Sequence, residues 1–151
     1  MTIDIKGIAE AMEDHRHYAE FYLNTATGKV MRVSRDILDA VEDDDADSVG
    51  ESSRGEAAIV ESVMFNARSP LIVVPELPFS ELLELMSGFY QRVSDVELSK
   101  KLESMTISTN PTKRFAEILK PYPEEEKSWM NFKDSFYLQE ANRWVQTIRL
   151  N

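Results

Sequence analysis

The chain has 151 residues, with 17 Lys and Arg against 27 Asp and Glu and a formal net charge of -10. That length suits one domain with one core, and 42% apolar with 29% charged residues is the composition of a globular protein rather than a disordered tail. The acidic balance argues against general nucleic-acid binding and against docking on anionic membranes; with no cysteine, disulfides, iron–sulfur clusters, thiolate zinc sites and cysteine nucleophiles are excluded.

The first residues, Met1-Thr2-Ile3-Asp4-Ile5-Lys6, lack the charged-then-apolar pattern of a signal peptide. No apolar run approaches the roughly 20 residues that span a bilayer, so the cytoplasm is the expected compartment. Ile5, Ile8, Ala9 and Met12 fall at helical spacing and predict a short helix from Ile5 to Asp14, weakened by Gly7. The period then changes. Ala19, Phe21 and Leu23 alternate with Tyr18, Glu20 and Tyr22, a strand pattern, and Val30 to Val33 is a second strand. Between them, Asn24 can open a turn through its side chain and Gly28 can take the positive φ of a hairpin bulge. Ser34 reads as the N-cap of a helix carrying Ile37, Leu38 and Val41.

That helix runs into Asp39 to Ser53, a window with seven acids and no base whose second part is small and polar; a mobile acidic loop near 43–54 is expected. Gly55 to Arg68 reads as a helix, and Leu71 to Val74, bounded by Pro70 and Pro75, as a buried third strand. From Pro78 onward only helices are expected. Phe79, Leu82, Leu83, Met86, Phe89, Tyr90 and Val93 form one apolar stripe. Ser94-Asp95-Val96-Glu97 reads as a capping box for the next helix, and Asn110-Pro111 as N-cap and first residue of another. Pro123 opens the longest helix, to about Arg149, with Glu124, Glu125 and Glu126 at the positive end of its dipole. The expected fold is α+β: an antiparallel hairpin and a third short strand packed with helices, then an all-helical C-terminal half. Residues 1–151 are expected to form one compact domain, with an α+β part to residue 75 and a helical part from 76.

Taken in order, Phe21 to Val30, the acidic window, Leu71 to Pro75, Met86-Ser87-Gly88-Phe89, Lys113-Arg114-Phe115 and the spaced aromatics Trp129, Phe132 and Trp144 resemble a bacterial family of uncharacterised proteins, number one hundred and fifty-eight of the UPF series. The similarity covers nearly the whole chain. Asn24 stands where the family usually has Asp in its hairpin turn. Thr109-Asn110-Pro111-Thr112 replaces a Gly-rich connector, so an ordinary helix cap is expected there. The resemblance implies a soluble, cytoplasmic bacterial protein and brings no activity or catalytic residue with it.

Each candidate site also has a blander structural role. Asp43, Asp45 and Asp47 have the alternate spacing of a calcium loop, but Ser48 stands where that loop needs Gly and Arg54 where it needs a bidentate Glu; no metal is expected. His15 and His17 are the only histidines and precede what reads as an edge strand, where surface positions are expected. No nucleophile elbow, phosphate-cradling glycine loop or dinucleotide fingerprint occurs, and no cofactor is expected. Lys113 and Arg114 are the main basic cluster and could hold an anion near a helix N-terminus or be a solvated face. Trp129, Phe132 and Trp144 belong to a run of aromatics that is core first and contact surface second; its apolar surface leaves room for a homodimer or partner contact.

The reading that results is a small non-catalytic interaction or regulatory module. It would dock another protein, or itself, through the last helix, with Lys113 and Arg114 at the rim and Trp129, Phe132 and Trp144 as binding residues. An enzyme using His15 or His17 with carboxylates is the alternative, and a nucleic-acid-associated protein the third. Without the acidic window, 20 acids face 17 bases, or -3. The acidity is therefore concentrated in one segment, and a locally basic site on the helical half is compatible with it.

Overall fold

The computed structural model describes residues 2–13, 19–42, 57, 58, 61 and 69–148. The expected acidic loop at 43–54 and both histidines lie outside the described residues, as does most of the helix expected over 55–68, of which 57, 58 and 61 are helical. The fold is α+β, with a three-stranded antiparallel sheet and a helical C-terminal half. Contacts divide the chain into two compact units: Met1–Glu76 with Glu140–Asn151, and Leu77–Gln139.

In the first unit, α1 (Ile5–Glu13) buries Ile8, Ala9, Ala11 and Met12. Asp4 caps it, its carboxylate accepting the Gly7 N–H at 3.0 Å. The hairpin of β1 (Ala19–Asn24) and β2 (Lys29–Ser34) follows. Its turn forms as the local chemistry dictates. Asn24 Oδ1 accepts the Ala26 and Thr27 N–H groups at 2.9 and 3.3 Å, and the Asn24 carbonyl accepts the Gly28 N–H at 2.7 Å. Gly28 has φ +77°, and its carbonyl accepts the Asp4 N–H at 2.9 Å. A Cβ at Gly28 would collide with the Thr2 carbonyl oxygen. The turn thus fastens the N-terminal segment as well as the two strands.

The third strand, β3 (Leu71–Val73), pairs antiparallel with β1, so the order is β2-β1-β3. Two expectations need correction. The strand after the histidines is central, not an edge, and both its faces are covered: Phe21 and Leu23 are buried on one side, and Tyr22 on the other. Tyr22 joins Val33, Ile37, Leu38 and Ala57 in a cluster to which α2 (Arg35–Glu42) contributes, with Leu71 packed against it. Simple alternation missed Tyr22 because a strand with a helix on each face buries both of its periods. Conversely, β3 is an edge rather than a buried strand: Val74 is buried, but Val73 is 51% exposed.

The second unit is helical: α3 (Phe79–Tyr90), α4 (Val96–Met105), α5 (Pro111–Leu119) and α6 (Pro123–Thr147), the last through Gln139. Its core is Leu85, Met86 and Phe89, Leu98 and Leu102, Phe115 and Leu119, with Trp129 and Tyr137. Each set recurs at helical spacing, although Phe79, expected in the α3 stripe, is 59% exposed. The cap of α4 is Asp95, one residue later than expected; its carboxylate accepts the Glu97 and Leu98 N–H groups at 3.1 and 3.2 Å. Asn110 precedes α5 with φ 54° and ψ 62° and makes no side-chain cap bond, so it is not an ordinary cap. Asn tolerates this left-handed conformation better than most side chains.

Two substitutions test these backbone constraints. Gly28→Ala adds strain of about 1–2 kcal/mol from the left-handed backbone alone, and displaces Thr2 besides; a clear fall in the urea midpoint is expected. At position 110, Gly should be neutral or stabilising and Val should cost about 1–2 kcal/mol. Equal stability of the two Asn110 variants would contradict this reading of the connector.

Candidate functional site

Trp129 organises the second unit. Its ring lies 5.2 Å from Phe89 at 57° and 5.2 Å from Phe115 at 53°, tilted pairings that aromatic quadrupoles favour. One side chain thereby ties α6 to both α3 and α5. Phe132 follows nearly one helical turn later, with its ring 6.0 Å from Phe89. It also lies close to Gly88: a Cβ there would be 3.2 Å from Phe132 Cζ. Glycine at this point of α3 gives the ring its space.

Beside this cluster is a concavity of about 890 Å³, formed wholly within the second unit. Phe89 reaches it from α3, and Arg92, Val93 and Ser94 from the turn that follows. Helix α6 supplies Glu124, Glu125, Ser128, Asn131, Phe132, Ser135, Phe136 and Gln139. The polar members at 124, 128, 131, 135 and 139 are three or four residues apart, so they form one stripe along the helix. At 1.5 Å per residue that stripe is about 22 Å long.

Arg92 is the groove's single cation, and its guanidinium stands 4.9 Å from the Phe132 ring centroid. That distance is within the range of a cation–π contact. No described carboxylate pairs with it. Glu124 and Glu125 give the N-terminal end of the stripe the opposite charge. Hydroxyl and carboxamide groups between them both donate and accept hydrogen bonds, as a peptide backbone does. Such groups can bind and orient a ligand. Among the described residues no group of His, Asp or Glu is assembled to hold a metal ion.

The residues singled out from sequence fall in different places. Phe132 lines the groove. Trp129 is 2% exposed and supports it from within the core. Lys113 and Arg114 are exposed on α5, outside the groove lining, and neither forms an ion pair with a described residue. Trp144 is half-buried, belongs to the first unit and does not line the groove. Sequence reasoning missed Arg92 and the polar stripe. The stripe had a signal, since Ser128, Asn131, Ser135 and Gln139 keep helical spacing beside the aromatics. Arg92 had only its position three residues after Phe89.

A model for an "Uncharacterised protein family (UPF0158)" matches residues 1–151. No curated protein and no solved structure matches the chain.

The central place of Trp129 has a measurable consequence. Trp129→Ala should lower the unfolding free energy by about 3–5 kcal/mol, as removal of a buried large aromatic does. Phe132→Ala, at a half-buried position, should cost clearly less. Both are read by denaturant titration with circular dichroism, and equal losses would contradict the assignment of Trp129 to the core and Phe132 to the groove.

Proposed function

The chain belongs to the uncharacterised protein family UPF0158, and we propose that it is a non-catalytic interaction module that binds an extended peptide segment of a partner protein in the α3–α6 groove. The observation that carries this reading is the Arg92 guanidinium lying over Phe132 with no carboxylate partner among the described residues, beside a stripe of hydrogen-bonding side chains along α6.

The geometry sets the occupant's form. A stripe of about 22 Å accommodates six or seven extended residues at roughly 3.3 Å each. Glu124 and Phe132 are about 12 Å apart along the helix, a span of about three or four extended residues. The fitting peptide therefore carries a basic residue opposite Glu124 and Glu125, and an acidic residue about three or four positions along opposite Arg92. Apolar side chains between them would cover Phe132 and Phe136. Lys113 and Arg114, exposed on α5 of the same unit, add positive field that steers an acidic partner and raises its association rate more than its final affinity. Trp129 acts indirectly, by fixing the helix that presents the stripe. The setting on this reading is the bacterial cytoplasm; among the described residues no helix is long and apolar enough to cross a membrane.

Selection of seven-residue peptides from a random displayed library tests the proposal. The wild-type chain should enrich sequences with a basic residue and, about three or four positions on, an acidic one. Arg92→Glu should exchange the acidic preference for a basic one and weaken the originally selected peptide by tenfold or more. Failure to enrich, or the same sequences enriched by both proteins, would remove the groove as the binding site.

A further inference from the structure

The sheet has two edges, and they differ. The β2 edge carries Lys29 and Arg32, both exposed, and charged side chains of this kind deter pairing with another strand. The β3 edge carries Leu71, Ile72 and Val73, with no charge.

The hydrogen bonds identify which β3 groups are open. Val74 N–H donates to the Phe21 carbonyl at 2.8 Å, and Thr25 N–H to the Pro70 carbonyl at 2.9 Å. In an antiparallel ladder the residues that bond to one neighbour alternate with those that face away. Ile72, opposite Leu23, therefore faces inward, while Leu71 and Val73 turn their N–H and C=O groups away from β1. Leu71 N–H is held locally by Ser69 Oγ at 3.2 Å. Val73, half exposed, has no partner for either backbone group among the described residues.

We propose that β3 pairs antiparallel with β3 of a second copy across a two-fold axis at Ile72, giving a continuous six-stranded sheet. A second copy presents the same uncharged edge, with its open groups in the same register. The open residues, 71 and 73, are equidistant from 72, so Leu71 of one chain meets Val73 of the other and the reverse pair forms by the same operation. This is the self-complementarity that an isologous contact requires. No like charges meet within it. Leu71 N–H exchanges Ser69 for the partner's carbonyl, and four interchain hydrogen bonds result. Pro70 and Pro75 lie just outside the paired residues and cannot donate to a ladder, which confines the contact to a short segment. The dimer is accordingly concentration-dependent, and pairing of both copies consumes the open edge, so that growth stops at two.

The absence of cysteine makes the test clean. At a two-fold non-hydrogen-bonded pair the Cα atoms are about 4.5 Å apart, within disulfide range. Ile72→Cys should cross-link under mild oxidation at least tenfold faster than Asp36→Cys, an exposed control on α2. Val73→Pro removes an outward N–H and no bond to β1. It should keep the wild-type circular dichroism spectrum while abolishing the concentration-dependent mass increase in sedimentation equilibrium. Equal cross-linking rates at positions 72 and 36, or a wild-type chain that stays monomeric at the highest accessible concentration, would overturn the proposal. So would a dimer unaffected by a folded Val73→Pro variant.

Discussion

The contact on which the helical unit depends is Trp129 against Phe89 and Phe115. Helices of 9 to 12 residues, such as α3 and α5, are marginal alone and acquire their stability by burying one face. Trp129 lets a single residue of α6 close that face for both. Its two tilted ring contacts at 5.2 Å fix where α6 runs relative to α3. Because they do, Phe132 meets Phe89 and passes Gly88, and Arg92 in the turn after α3 comes to lie over Phe132. The groove is thus a consequence of core packing, and its polar stripe is the part of α6 that the core does not use.

Arg92 illustrates how such a site differs from a structural charge. A surface arginine paired with a carboxylate contributes little to stability and has little left to offer a ligand. Here the guanidinium lies over an aromatic ring, and no described carboxylate takes its hydrogen-bond donors. The two glutamates at the start of α6 suit the helix dipole and also give the groove charge of both signs. A ligand that satisfies both ends is fixed in direction as well as position, which is how charge patterns confer specificity more than affinity.

What was legible in the sequence is what local chemistry decides. The Asn24 to Gly28 turn is set by one carboxamide and one positive φ, and both could be read from residue types. The helical half was legible because Phe115, Leu119 and the other core residues repeat at 3.6-residue spacing. Tertiary choices were not. Whether Leu71 to Val73 is a central or an edge strand depends on which strand it pairs with, and the burial of Tyr22 depends on α2 covering the second face. Asn110 reads as a cap because Asn-Pro fits one, whereas its backbone is left-handed and its side chain makes no cap bond. The groove was the least legible feature, since Arg92 and Ser128 are 36 positions apart in sequence and only the packing around Trp129 brings their segments together.

The proposed peptide site is the α3–α6 groove framed by this core. Backbone amide NMR of the full chain, titrated with a peptide carrying a basic and an acidic residue at the stated spacing, addresses it most directly. Saturable shift changes are expected at Arg92, Ser94, Ser128, Asn131, Ser135 and Gln139, with the amides of β1 and β2 unmoved. Changes confined to the first unit or to Lys113 and Arg114, or none at millimolar peptide, would contradict it.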